Sequence, residues 1–265
     1  MEADINGTKI HFVEAGGPAA LPVILIHGFP LSGAMWEPQF EALKRNYRVV
    51  AYDIRGQGES AVGDGLYSVE FFVDDLLGVM DLLQIRQAVL CGLSMGGYIA
   101  LRAAERAPER VKALVLCDTR GETDSNQGKL ARAAAVKALQ KDGVSAYAEN
   151  FAKNVFSPKT LAAGKPCVER IKRIMRAGSE LGLRGTLLAL AGRTDATPFL
   201  PSISVPTLIL VGADDALAPP AVSEAMRKAI PGSELRVIAE AGHLSSAENP
   251  EEFNKQLLEF LSRLK

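Results

Sequence analysis

Apolar residues follow two rhythms along this chain. Short runs with little polar interruption occur at Val23–Ile26, Arg48–Tyr52, Ala88–Cys91, Ala113–Cys117, Thr207–Val211 and Glu234–Ile238. Such runs predict strands buried on both faces, as in a mostly parallel sheet covered by helices. Between them the spacing changes to steps of three and four. Val69, Phe72, Val73, Leu76, Met80 and Leu83 fall on one helical stripe behind a capping Ser68. Near the end, Asn249-Pro250-Glu251-Glu252 supplies a cap, a first-turn proline and two acids ahead of Phe253, Leu257, Phe260, Leu261 and Leu264. Asn6-Gly7, between two short extended stretches, predicts an N-terminal hairpin. Strands alternating with helices define the fold class as α/β.

The alternation stops between Asp118 and Pro206. No strand is legible there, but helix-like segments run over Lys129–Lys141, Pro166–Ala177 and Ser179–Gly192. A long structureless loop is improbable inside a compact domain, so the stretch reads as a helical insertion. The expected organisation is a core of residues 1–121 and 199–265, with residues 122–198 forming a lid.

Composition narrows the function classes. With 265 residues and 48% hydrophobic content, the chain can bury one large core plus an insertion. A formal charge of -1 gives no basic field for nucleic acid. The N-terminus resembles no signal peptide and no stretch suits a membrane span, so the expectation is a cytoplasmic protein without a membrane partner. Cys91, Cys117 and Cys167 lack metal-ligand spacing, and neither a disulfide framework nor a metal site is predicted. Cys91 and Cys117 end apolar runs and read as buried, inert thiols. The pattern carries no signal for an oligomeric state. The total charge hides an asymmetry: residues 122–198 carry 13 Lys and Arg against 7 Asp and Glu. A lid of that sign can be a solvated surface, or can draw in an anionic substrate.

The chemistry centres on "CGLSMGG", residues 91–97, which places Ser94 at Gly-x-Ser-x-Gly spacing directly after an apolar run. A serine hydroxyl becomes an effective nucleophile when an oriented base removes its proton. His27 and His243 lie where a strand ends, on the sheet edge where ligands gather, whereas His11 falls in the hairpin. Asp215 and Asp214 follow a late strand, and Asp118 follows another.

With "HGFP", "YDIRGQGES" and "GLSMGG" in this order, and an acid and His243 following in successive late loops, the chain resembles the α/β-hydrolase fold superfamily. The resemblance covers nearly the whole chain and implies a helical cap inserted after the sixth strand. It selects Asp215 through Gly212-Ala213-Asp214-Asp215 and implies a triad of Ser94, Asp215 and His243. It further implies an oxyanion hole from the Phe29 and Met95 amides, with Gly92 and Gly96 permitting the turn. His27 then braces the loop that Gly28 opens to substrate, and Asp53, Arg55 and Ser60 support the same loop. Trp36 and Phe199 are the candidate substrate-binding side chains.

The activity implied is a cofactor-free carboxylesterase acting on small to medium acyl esters, with no metal. Enol-lactone hydrolysis and perhydrolase or haloperoxidase chemistry use the same triad, as do carbon–carbon bond hydrolases. A non-catalytic small-molecule receptor is the reading from a different class. The partner in the leading readings is a small ester or lactone, and activity should rise with pH as the histidine base becomes neutral.

Overall fold

A computed structural model describes residues 1–264. The hairpin pairs β1 (Glu2–Ile5) with β2 (Thr8–Ala15). Asn6 and Gly7 both take positive φ, 51° and 74°, as a tight two-residue hairpin turn requires. The later apolar runs become β3 (Pro22–Ile26), β4 (Arg48–Tyr52), β5 (Ala88–Leu93), β6 (Val111–Cys117), β7 (Thr207–Gly212) and β8 (Glu234–Ile238). One eight-stranded sheet results, in the order β1-β2-β4-β3-β5-β6-β7-β8. It is parallel from β4 to β8, and β2 alone is reversed, pairing antiparallel with both β1 and β4. Every residue of β5 and β7 is buried, which explains their unbroken apolar sequence.

Helices α1 (Glu37–Leu43), α2 (Val69–Leu82) and α3 (Met95–Arg106) follow β3, β4 and β5 respectively. Ser68 accepts the Phe71 amide at 3.2 Å and so caps α2 as its position predicts. Phe72, Val73 and Leu76 from α2 join Ile99 and Ala100 from α3 in one buried cluster; Trp36, Leu43 and Phe253 belong to the other. Cys91 and Cys117 are buried side by side as free thiols, their sulfurs 3.9 Å apart.

The insertion between β6 and β7 holds α4 (Asn126–Val155), α5 (Pro158–Ala162), α6 (Pro166–Arg176) and α7 (Glu180–Ala191). The first of these is longer than its sequence pattern suggests. Helix α4 kinks at Gly143, where φ is 79°, and then continues to Val155 through a stretch whose periodicity gave no signal. Arg193, just beyond α7, fastens the insertion to the core. Its guanidinium pairs with Asp124 at 2.8 Å and sits 4.2 Å over the Tyr98 ring of α3. The chain closes with α8 (Pro220–Ala229), the short α9 (Ser245–Glu248) and α10 (Pro250–Ser262), the last capped by Asn249. Among the described residues no helix is long and apolar enough to cross a membrane.

Candidate active site

Ser94 stands at the turn from β5 into α3 with φ 52° and ψ -109°, a conformation that non-glycine residues rarely adopt. Surrounding bonds hold it there. Its amide donates to the Cys117 carbonyl at 2.8 Å, and its own carbonyl accepts the Thr119 hydroxyl at 2.7 Å and the Gly97 amide at 2.9 Å. The turn closes so tightly that a side chain at Gly92 would meet the Gly96 carbonyl oxygen at 2.2 Å. One at Gly96 would meet the Ile26 carbonyl oxygen at 2.1 Å. These two glycines therefore let β5, α3 and β3 approach one another.

His243 Nε2 lies 2.9 Å from Ser94 Oγ, and its Nδ1 lies 2.8 Å from Asp215 Oδ2. With Nδ1–H donating to the carboxylate, Nε2 is left to accept the serine hydroxyl. The three side chains come from the ends of β5, β7 and β8, brought together by the parallel sheet. His243 is itself tied to the insertion, because its amide donates to the Val155 carbonyl at 2.8 Å. Asp215 Oδ1 accepts the amides of Leu217 and Ala218 at 2.8 and 2.9 Å. Burial alone would raise the Asp215 carboxyl, but the His243 hydrogen bond and charge, with those amides, hold it below its ordinary value.

The other acids take different places. Asp214 is exposed. Asp118 is fully buried, yet it receives the Gly212 amide and both the amide and hydroxyl of Ser245 rather than a histidine. Burial, reinforced by the nearby charge of Asp215, pushes the Asp118 carboxyl well above its ordinary range against the pull of those hydrogen bonds.

The histidines separate as clearly. His27 is buried, donates from Nδ1 to the Gly28 carbonyl at 3.0 Å, and accepts the Ile54 amide on Nε2 at 3.0 Å. Burial lowers its pKa and favours the neutral ring. His11 pairs with Asp53 at 3.1 Å in the hairpin region. Asp53 in turn accepts the Gly33 amide at 2.6 Å and the Glu59 amide at 2.8 Å, joining the loop after β4 to the one after β3. Ser60 donates to the Asp53 carbonyl at 2.6 Å, and Arg55 pairs with Asp75 through two 2.6 Å bonds.

Phe29 and Met95 border the same cavity as Ser94 and His243, a space of about 320 Å³. Neither of their amides donates to a protein acceptor among the described residues. Two donors without partners beside a nucleophile can receive an oxyanion. The insertion contributes Tyr147 and Phe151, one helical turn apart on α4, stacked with ring centroids 5.7 Å apart. Both meet the Phe29 ring edge-on, at 6.2 and 6.1 Å. Burial pushes the Tyr147 hydroxyl up to about 12, against the opposing charge of Arg132. Leu187 and Leu190 from α7 complete an apolar wall.

Two expected substrate-binding residues lie elsewhere. Trp36 is fully buried and packs against Phe253 of α10, with ring centroids 6.2 Å apart. Its ring fills the core beneath α1 and does not border the cavity. Phe199, in the 3-10 turn Thr197–Ser202, packs half-buried on the core, while its neighbour Leu200 turns in against Gly121. It does not border the cavity either. The residues that sequence reasoning overlooked are Tyr147, Phe151, Thr119 and Arg120. Thr119 and Arg120 had one available signal, their position immediately beyond a strand end.

No group of three or more His, Cys, Asp or Glu side chains among the described residues is arranged to hold a metal ion. A family model described as the alpha/beta hydrolase fold matches residues 22–250. The chain is 32% identical to 3-oxoadipate enol-lactonase 2 of Acinetobacter baylyi, across 92% of this chain and 88% of that protein. A solved thermophilic esterase from Thermogutta terrifontis, described as malate bound, superposes with a TM-score of 0.95 at 36% identity, covering 100% of this chain and 98% of the other. A bromoperoxidase from Bacillus anthracis superposes with a TM-score of 0.88 at 28% identity, covering 99% of each chain.

Proposed function

The chain belongs to the alpha/beta hydrolase fold family, and on that premise we propose that it is a serine hydrolase cleaving carboxylic esters of small to medium acyl groups. The observation that carries this reading is the unbroken chain of contacts from Asp215 through His243 to Ser94, at 2.8 and 2.9 Å.

Ser94 Oγ attacks the ester carbonyl while His243 Nε2 takes the hydroxyl proton. Asp215 orients the imidazole and stabilises its positive charge. The tetrahedral oxyanion rests on the amides of Phe29 and Met95. His243 returns the proton to the departing alkoxide, which leaves as the alcohol with the acyl group on Ser94. A water molecule, deprotonated by His243, then attacks the acyl-enzyme; its hydrogen returns to Ser94 Oγ and the carboxylic acid departs. The chain's own residues supply nucleophile, base and oxyanion donors, so the scheme uses no cofactor. The cavity of about 320 Å³ and its aromatic wall suit small and medium acyl groups.

Ring-opening of an enol-lactone is a second reading, supported by the similarity to the Acinetobacter enol-lactonase. It uses the same steps, with the leaving oxygen still joined to the acyl group. A peracid-forming reaction, in which peroxide replaces water, is supported by the likeness to the bromoperoxidase.

The test is a substrate panel of nitrophenyl esters of rising chain length, an enol-lactone, and acetate with peroxide, run on the parent and Ser94→Ala. The parent should turn over the shorter esters, and Ser94→Ala should lose about a thousandfold or more of that rate. Equal activity in the two proteins on every substrate would overturn the reading.

A further inference from the structure

Among the described residues, one arginine lining the cavity beside Ser94 has no carboxylate partner. Arg120 and Arg132 line the cavity, and Arg193 stands behind Arg132 on the same carboxylate. Arg132 pairs with Asp124 at 3.0 Å, and Arg193 pairs with the other oxygen of the same carboxylate at 2.8 Å. No other cation of the insertion lines the cavity among the described residues, and several are paired elsewhere, as Lys172 and Arg176 are to Glu149 and Glu169. Arg120 differs. It lines the cavity with Ser94 and His243, and no carboxylate among the described residues lies within ion-pair reach of it. Its side-chain hydrogen bond among the described residues runs from Nη2 to the Leu217 carbonyl, another part of the cavity wall. A guanidinium has five N–H donors, so this contact fixes the group while leaving most of the fork open.

The backbone leading into Arg120 is also anchored beside Ser94. It follows Thr119, whose hydroxyl grips the Ser94 carbonyl at 2.7 Å, and the amide of Asp118 is bonded to Leu210 of β7 at 2.8 Å. Phe29, Phe151, Leu187 and Leu190 give the same cavity an apolar lining. An open guanidinium fork in a cavity with apolar lining matches a molecule with a hydrocarbon body and a carboxylate end.

Resting on the hydrolase reading above, we propose that Arg120 is the specificity-determining residue of this cavity and that the substrate is an ester or lactone bearing a free carboxylate. The guanidinium takes that carboxylate while the acyl carbonyl sits between Ser94 Oγ and the amides of Phe29 and Met95. The positive charge of the insertion as a whole is a weaker determinant, because its only cation lining the cavity among the described residues, Arg132, is paired with Asp124.

The experiment compares the mono-nitrophenyl ester of glutaric acid with its neutral methyl diester, using the parent, Arg120→Gln, Arg120→Lys and the exposed control Lys141→Gln. The parent should favour the anionic ester in kcat/KM. Arg120→Gln should cut the anionic-to-neutral ratio by about ten- to a hundredfold, the loss expected for a charge-assisted pair. Arg120→Lys should retain part of the preference, and Lys141→Gln should keep the parental ratio. An unchanged ratio in Arg120→Gln, or an equal fall in Lys141→Gln, would overturn the proposal. Calorimetric titration with glutarate separates its failure from that of the catalytic reading, since binding requires no turnover. If the parent cleaves no ester, the hydrolase reading falls. Glutarate binding that is lost in Arg120→Gln would still support the carboxylate site, and binding retained there would refute it.

Discussion

The Asp118 carboxylate receives the Ser245 hydroxyl at 2.6 Å and the Ser245 amide at 3.2 Å. Its other oxygen takes the Gly212 amide at 2.8 Å. Ser245 lies two residues beyond His243, and Gly212 lies three before Asp215. A single buried group thus ties the end of β6 to the two loops that bring His243 and Asp215 together. Asp118→Ala should cost about 3 kcal/mol, because it strands two buried amides and a hydroxyl. Asp118→Asn, nearly the same shape, should cost less and retain more activity.

The sign of its pH dependence also follows. The Asp118 carboxyl is raised in the folded protein, so the native state holds its proton more firmly than the unfolded chain does. The contribution of this group is therefore fully present below its ordinary value of 3.8 and declines as pH rises through its higher folded value. Asp118→Asn has no such titration, and its stability deficit relative to the parent should shrink as pH rises. Urea unfolding of both proteins across a pH series checks this; a deficit that grows with pH would contradict it.

Gly96→Ala should be far more damaging than its chemistry suggests. The added carbon would sit 2.1 Å from the Ile26 carbonyl oxygen, a backbone atom of the central strand that cannot swing aside. A loss of about 3 kcal/mol or more is expected. Gly17→Ala is the control, since a side chain there meets nothing within 4 Å; it should stay within about 0.5 kcal/mol of the parent. Thermal unfolding of the two variants distinguishes a packing requirement from general intolerance at glycine.

Phe151→Ala should shift acyl preference toward longer chains. The ring forms part of the cavity wall and stacks on Tyr147, so its removal enlarges the space beside Ser94. It is half-buried, and the stability cost should be about 2 kcal/mol, below that of a fully buried phenylalanine. The chain-length profile of nitrophenyl esters provides the measurement. An unchanged profile would mean that the acyl group lies elsewhere in the cavity.

The contrast between Ser94 and Phe151 explains what could be read from the sequence. Ser94, Asp215 and His243 stand at the ends of apolar runs, and strands buried on both faces write themselves as such runs. Once the sheet is parallel, those ends share one edge, which groups Ser94 and His243 with the acids Asp118, Asp214 and Asp215; the choice of Asp215 among them is what the resemblance to the α/β-hydrolase fold implies. Phe151 lies beyond the Gly143 kink in a helix whose cavity-facing residues interrupt any single apolar stripe, and nothing local marks it. Trp36 shows the opposite failure: proximity in sequence to Phe29 suggested the cavity, but the first turn after the loop rotates the ring into the core. Asp118 stood among the acids at strand ends, yet its role depends on Ser245 and Gly212, which only the folded chain brings to it.

Acid-quenching the parent during turnover of nitrophenyl acetate, then mapping the covalent adduct by mass spectrometry, shows whether Ser94 carries the acyl group. One acetyl group should appear, confined to the peptide containing Ser94, and it should accumulate faster than it is hydrolysed. Turnover with no adduct on that peptide, or an acetyl group on another residue that Ser94→Ala fails to abolish, would rule Ser94 out as the acyl carrier.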